Sequence, residues 1–400
     1  MEFDVTESIQ DVHTNLALQL EMAKDEGKKV VGCLCSYSPI ELILAANAIP
    51  VGLCGSTHEP IAKAEEILSP DQCPKVKATF GRATGGTCPL FPLADCIISE
   101  TTCDGRKKMY ELLERYVPMQ VMDLPQKPEE PAALPHWLAE VESAKLFLEE
   151  QLGVTITDKD LSRAIRMKNK QRKLMTRIHY SRKQSPPPIT GLDFANITSK
   201  LNYYIDHSDY LNLLSAFADE LEERNKNNIH ACDAGKPRIL WTGLGNSLGC
   251  SKVLRLVEES GGMVVCSEGC GGVTRIEDLV DETLPPLEAI AQRYLRVTCA
   301  CMTPNTQRFE DLERLCAEFD IDGVIDLAWQ FCQPFEIESY RVRELIKDKL
   351  GLPFLHVTTD YSSQDEGQLK VRIEGFMEQI KTSKVRAEKA VSYESRKTSS

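Results

Sequence analysis

Residues 95–124 read DCIISETTCDGRKKMYELLERYVPMQVMDL. Asp95 opens a short apolar run, a polar turn carries Cys103, a charged helical stretch follows, and a second apolar run closes the unit. Strand, turn, helix and strand in that order make one unit of a parallel sheet. Residues 322–360 repeat the plan as DGVIDLAWQFCQPFEIESYRVRELIKDKLGLPFLHVTTD, with Asp322 first and Cys332 in the turn. Equivalent turns in two facing domains would bring Cys103 and Cys332 toward a shared cleft, since ligands of open parallel sheets sit beyond the strand ends.

Working outward, KVVGC and AIPVGL read as the other strands of the first part, with PIELILAANA and KAEEIL as helices. From Pro135 to about His230 long charged helical stretches take over, broken at Pro186-Pro187-Pro188. From Lys236 the first scheme returns. RILWTG and MVVCSE read as strands, and SKVLRLVEES, LEAIAQRYL, FEDLERLCAEF and IESYRVRELIKDKL as helices. A last helix, DEGQLKVRIEGFMEQI, leads into a Lys/Ser-rich tail expected to be disordered. The expected fold is α/β, with two Rossmann- or flavodoxin-like parallel-sheet domains facing a cleft across a helical segment. The expected boundaries are 1–134, 135–235, 236–382 and a tail at 383–400.

The bulk numbers narrow the function. A net charge of −13 without a basic block excludes nucleic acid as an expected partner. The N-terminus lacks a basic region leading into an apolar run, so no signal peptide is read. No stretch approaches the roughly 18 apolar residues of a membrane span. A soluble, cytoplasmic protein is expected. Fifteen cysteines, an odd number, then argue for reduced thiols rather than a disulfide framework.

Their positions carry the chemistry. Cys232, Cys266 and Cys316 lie in or beside apolar runs and read as core residues. Cys35, Cys54, Cys103, Cys270 and Cys332 instead follow strands, in turns, while Cys73 and Cys88 each precede a proline. Cys299 and Cys301 are two apart, and either is a ligand or a pocket-lining thiol. Soft thiolates gathered at such turns suit an iron–sulfur cluster. No C-x-x-C pair and no H-E-x-x-H group exists, so zinc ribbons and zinc hydrolases are poor matches. GLGNSLGC lacks the Walker lysine, so any ATP would be bound by a partner.

CSYSPIELILAANAIPVGLCG, CPKVKATFG, ETTCDGRKKMYELL, RYLRVTCACMTPN and LHVTTDYSSQDEGQLKVRIEGF, in that order, resemble the 2-hydroxyacyl-CoA dehydratase and benzoyl-CoA reductase subunit family. The cysteine richness is closest to the double-cubane cluster proteins of that family. The resemblance implies one cubane held by Cys73, Cys103 and Cys332. It implies a second, in an [8Fe–9S] cluster, held by Cys35, Cys88 and a third thiol, Cys270 ahead of Cys301 or Cys54. It further implies a homodimer and a separate homodimeric ATP-hydrolysing [4Fe–4S] activator that supplies low-potential electrons for reduction of a small molecule. A single-[4Fe–4S] (R)-2-hydroxyacyl-CoA dehydratase subunit, working through a ketyl radical, is the alternative. An electron-storage or cluster-carrier protein without its own substrate is another. Two positions depart from the family: Asn47 stands where glycine is usual, and GLGNSLGC is a loose version of a Gly-Cys-Pro turn. Ser36, Glu41, Lys77 and Glu268 are the candidate catalytic residues, with Tyr37, Glu100 and Asp104 also near the expected cleft turns.

Overall fold

The computed structural model describes residues 15–200, 204–244, 251–270 and 272–398. Its strands are β1 Val30–Cys33, β2 Ile49–Gly52, β3 Cys96–Glu100, β4 Met119–Met122, β5 Arg238–Gly243, β6 Met263–Ser267, β7 Gly323–Trp329 and β8 Phe354–Thr359. Each falls on an apolar run read as a strand. They form two four-stranded sheets, ordered β2-β1-β3-β4 and β6-β5-β7-β8, with every pairing parallel. β1, β3, β5, β6 and β7 are buried at every residue, as strands of a parallel sheet covered on both faces must be.

The paired aspartates have a shared structural job. Asp95 Oδ2 accepts the Val30 N–H at 2.8 Å while its own N–H donates to Val30 O at 2.8 Å. Asp322 Oδ2 accepts the Arg238 N–H at 2.7 Å and its N–H donates to Arg238 O at 2.8 Å. Each aspartate therefore latches the start of the central strand to the strand that follows it in the sheet.

The middle segment is helical: Ala133–Leu152, Asp158–Tyr180, Gly191–Lys200 and His207–Lys226. Thr157 starts the second of these with a capping box to Asp160. Trp137, Val141, Ala144 and Leu148, at helical spacing, pack on Val31, Ile98 and Met122 of the first sheet. The same core takes Ile290 and Tyr294 from the Pro286–Leu295 helix, so the second half reaches across to the first. Ala195 packs the other way, on Val264 of the second sheet. Among the described residues no helix is long and apolar enough to cross a membrane.

Two features were not read from sequence. Pro74–Thr84 is a helix, with Cys73 as its extended N-cap and Pro74 in its first turn. It hides Lys75, Lys77 and Thr79 as well as Val76 and Phe80. The closing helix spans Glu366–Thr398, entering the segment whose composition reads as a tail. Leu369, Ile373, Phe376, Met377 and Ile380 seat its first part on the second core. Asn47 adopts φ +55°, the left-handed conformation glycine takes most readily and asparagine tolerates best among the rest. GLGNSLGC (243–250) lies almost wholly outside the described residues.

Candidate functional site

Cys73, Cys103 and Cys332 share a structural position. Each is the N-cap of a helix: Pro74–Thr84, Asp104–Leu113 and Gln333–Arg343. None spends its side chain on capping that helix. The thiols of Cys73 and Cys332, from opposite halves, lie near enough to act on each other's ionisation. The Cys332 thiol, with backbone N–H groups of Lys75 and Val76, holds Cys73 down to about 6 against its burial. Cys332 is pushed well up because it is the partner that keeps the proton. Cys103 lies within electrostatic reach of both, its thiol raised by burial and opposed by Arg106. Three helix N-termini thus face one set of thiols, and each favours the anionic form.

A second group adjoins the first. Cys35 follows β1, Cys270 follows β6, and Cys299 and Cys301 come from the loop after the Pro286–Leu295 helix. Ser36 Oγ lies 3.8 Å from Cys270 Sγ across the cleft. Cys270 is lowered, chiefly by Lys75 and further by Arg275, against its burial. Cys299 is brought to about 5 by the Cys301 thiol that donates to it, with Arg275 assisting. Cys35 is raised by burial and then by Glu100, with Cys270 and Cys299 adding. Cys299 also acts on Cys103, which joins the two groups. No described cysteine is in a disulfide. No three Cys, His, Asp or Glu side chains among the described residues converge on a single-ion site. A cubane spreads its ligands over several irons and does not require such convergence.

Beside the second group lies a cavity of about 320 Å³, lined by Cys35, Ser36, Cys54, Cys270, Lys75 and Arg106 among others. Arg106 donates to Leu34 O and holds Cys54 Sγ at 3.6 Å, while Cys54 itself donates to Leu34 O at 2.8 Å. Glu100 is fully buried at the end of β3, and neither carboxyl oxygen has a normal hydrogen-bond partner among the described residues. Burial pushes it up to about 7, opposed by Arg106 and by the nearby Cys35 thiol.

The other sequence candidates fall into place. Cys88 is buried in the core of the first half with Phe80 and Leu90, beyond the far end of the Pro74–Thr84 helix. Cys73 stands at the N-terminal end of that helix and packs against the same core. Lys77 is tied to Glu65 at 2.7 Å and Pro70 O at 2.7 Å, and Lys75 takes the cavity position instead. Glu268 is bound by Thr242 and by Arg308 at 3.2 Å. Glu41 is paired with Arg172 at 2.6 Å and accepts the Tyr294 hydroxyl at 2.8 Å. Burial alone would raise Glu41, but Arg172, Arg293, Lys168 and Tyr294 outweigh it. Tyr37 is buried with its hydroxyl on Val297 O, and Asp104 is exposed beside Lys107. Cys266 and Cys316 are core residues, as read.

A family model described as 2-hydroxyglutaryl-CoA dehydratase, D-component, matches residues 35–380. That span begins at Cys35 and contains every thiol of both groups. YjiM of Escherichia coli (strain K12), provisionally named as a dehydratase subunit, is 33% identical over 357 residues, covering 89% of this chain and 93% of that protein. The (R)-phenyllactyl-CoA dehydratase beta subunit of Clostridium sporogenes is 24% identical over 360 residues, covering 88% and 92%. A benzoyl-CoA reductase subunit of Thauera aromatica is 20% identical over 371 residues, covering 90% and 92%. The chain belongs to the 2-hydroxyglutaryl-CoA dehydratase D-component family.

Proposed function

We propose that this family member is an iron–sulfur reductase whose two thiol groups hold a double-cubane [8Fe–9S] cluster. Cys73, Cys103 and Cys332 take one cubane; Cys35 and Cys270, with Cys299 or Cys301, take the other. The observation that supports this most is the meeting of two adjoining sets of three or more thiols from both halves of the chain. This reading leaves out Cys88, expected from the resemblance, in favour of thiols that act on one another across the cleft, since Cys88 is buried with Phe80 and Leu90 in the core of the first half.

The donor chemistry fits such a group. Six soft ligands are present, three helix N-termini face the first set, and Lys75, Arg106 and Arg275 face the thiols as counter-charge. When bound, the cluster supplies electrons at low potential. The chain's own residues hold it between two rigid sheets, bury it from water and offset its charge. The cavity of about 320 Å³ is lined on one side by Cys35 and Cys270, where the second cubane would sit, and on the other by Lys168 and Arg172, where a small molecule would have room. Electrons would come from a separate homodimeric ATP-hydrolysing [4Fe–4S] activator, this chain itself acting as a homodimer. Phe331, Ile337 and Tyr340, exposed beside Cys332, are apolar surface available to a protein partner.

A second reading is an (R)-2-hydroxyacyl-CoA dehydratase subunit with one [4Fe–4S] cluster at Cys73, Cys103 and Cys332. The names of the dehydratase relatives favour it. A carrier without a substrate is the third. Iron and acid-labile sulfide per chain, on anaerobic protein with an EPR spectrum after reduction, separate them. About eight iron and nine sulfide are expected; about four of each would replace the proposal with the dehydratase reading. A full cluster that cycles redox states yet turns over no small molecule would leave the carrier.

A further inference from the structure

The cavity has a second wall that carries no thiol. On the Asp158–Tyr180 helix, Lys168, Gln171, Arg172, Met175 and His179 stand at i, i+3, i+4, i+7 and i+11, and all five line it. Arg293 closes the wall from the Pro286–Leu295 helix and Tyr210 from the His207–Lys226 helix. Among the described residues six Lys and Arg side chains line the cavity, and no Asp or Glu does, in a chain of net charge −13.

The nearest carboxylate does not balance this wall. Glu41 stands behind Arg172, which it pairs at 2.6 Å, and also faces Arg293 and Lys168; Asp278 acts on Arg172 and Arg293 too, but its carboxylate is paired with Arg296 at 2.7 Å. Lys168 Nζ donates to Gln171 Oε1 at 2.9 Å and has no ion-pair partner among the described residues. Burial and the adjacent Arg172 bring it to about 8, as expected for a cation awaiting an anion. Gln171 and Tyr210 hydrogen-bond each other at 2.9 Å and brace the wall.

We propose that this helical wall, centred on Lys168 and Arg172, is an anion subsite that binds the carboxylate or oxyanion group of a small ligand and directs its remainder toward Cys35 and Cys270. It rests on the reductase reading only in calling that ligand a substrate. The cavity volume limits it to a compact molecule.

The test is calorimetric titration of anaerobic full-length protein with acetate, phosphate and neutral acetamide at constant ionic strength, iron being measured on the same sample. We expect saturable binding of acetate or phosphate at one site per chain and none of acetamide. Lys168→Gln should weaken it about tenfold or more, since a charge-assisted hydrogen bond is lost. Lys168→Arg should stay within a few-fold, and Lys170→Gln, exposed on the same helix, should match wild type. Absence of binding by both anions, equal binding of acetamide, or equal losses in Lys168→Gln and Lys170→Gln would overturn the subsite. The wild-type comparison of acetate with acetamide stands even where a variant misfolds. Iron-poor protein that still binds anion overturns the cluster reading alone; iron-replete protein that binds neither anion overturns the subsite alone.

Discussion

The first sheet, β2-β1-β3-β4, and the second, β6-β5-β7-β8, place equivalent residues at equivalent points. Asp95 and Asp322 make the same pair of backbone bonds; Cys103 and Cys332 cap the helices that follow β3 and β7. The turns into β2 and β6 match as well. Asn47 at φ +55° and Gly261 at φ +90° precede the same backward bond, Ala48 N–H to Ile43 O at 3.1 Å and Gly262 N–H to Val257 O at 3.0 Å. Charge is where they part. The first half sets one carboxylate, Glu41, among Arg172, Arg293 and Lys168 and leaves Glu100 without a normal partner. The second half settles its acids in networks: Glu268 and Glu338 share Arg308, and Asp326 and Glu336 share His356. A repeated backbone therefore brings thiols to the cleft from both sides, while unequal side-chain charge gives the cleft a direction.

The sharpest way to break the equivalence is at the helix caps. Cys103→Ser and Cys332→Ser should each lose about four iron per chain, whereas Cys88→Ser should keep the full complement. Iron retained in one cap variant and not the other would show that the two halves do not share a cubane. Next in size are the buried ion pairs. Arg308→Ala should cost about 3–5 kcal/mol in denaturant unfolding, because it strands Glu268 in the core. Arg172→Ala should cost less, since Lys168, Arg293 and the Tyr294 hydroxyl still face Glu41. Equal losses would contradict the charge asymmetry.

Smaller effects sharpen the comparison. Gly261→Ala meets no atom within 4 Å, so its cost of about 1–2 kcal/mol should come from the left-handed backbone alone. Asn47→Ala should lose a comparable amount, and Asn47→Gly should not; a thermal shift in only one half would show that the turns differ. His356 belongs to the second half only. Burial would lower its pKa, but Asp326 and Glu336 outweigh burial and raise it above 6.5. The charged pair then stabilises fully below pH 6.5, and that stability fades as pH rises through the raised value. His356→Gln should therefore destabilise more at pH 6 than at pH 8, by less than about 1 kcal/mol for this part-exposed group. The same loss at both pH values would exclude the charged form.

The strands were legible because a parallel sheet covered on both faces writes itself as short apolar runs. The placement of Cys103 and Cys332 at strand-to-helix turns was legible, and both stand there as helix N-caps. Lys75 was not legible, because nothing in the sequence marks a lysine as buried, and this one is hidden with Lys77 and Thr79 on the Pro74–Thr84 helix. Cys299 was only one of two alternatives in its segment, because it follows a helix rather than a strand and its place depends on how the halves meet. The basic wall was equally hidden: Lys168 and Arg172 look like any charged pair on an exposed helix until that helix is laid over the cleft.

By itself the sequence determined the elements, their parallel order and which turns would hold thiols, because apolar periodicity and turn chemistry act between near neighbours. The tertiary structure decided which thiols come near one another and which cations line the cavity. Those depend on packing between residues far apart in the chain, such as Tyr37 on Val297, 260 positions away, and Tyr361 on Gly55, 306 positions away, and nothing local encodes it.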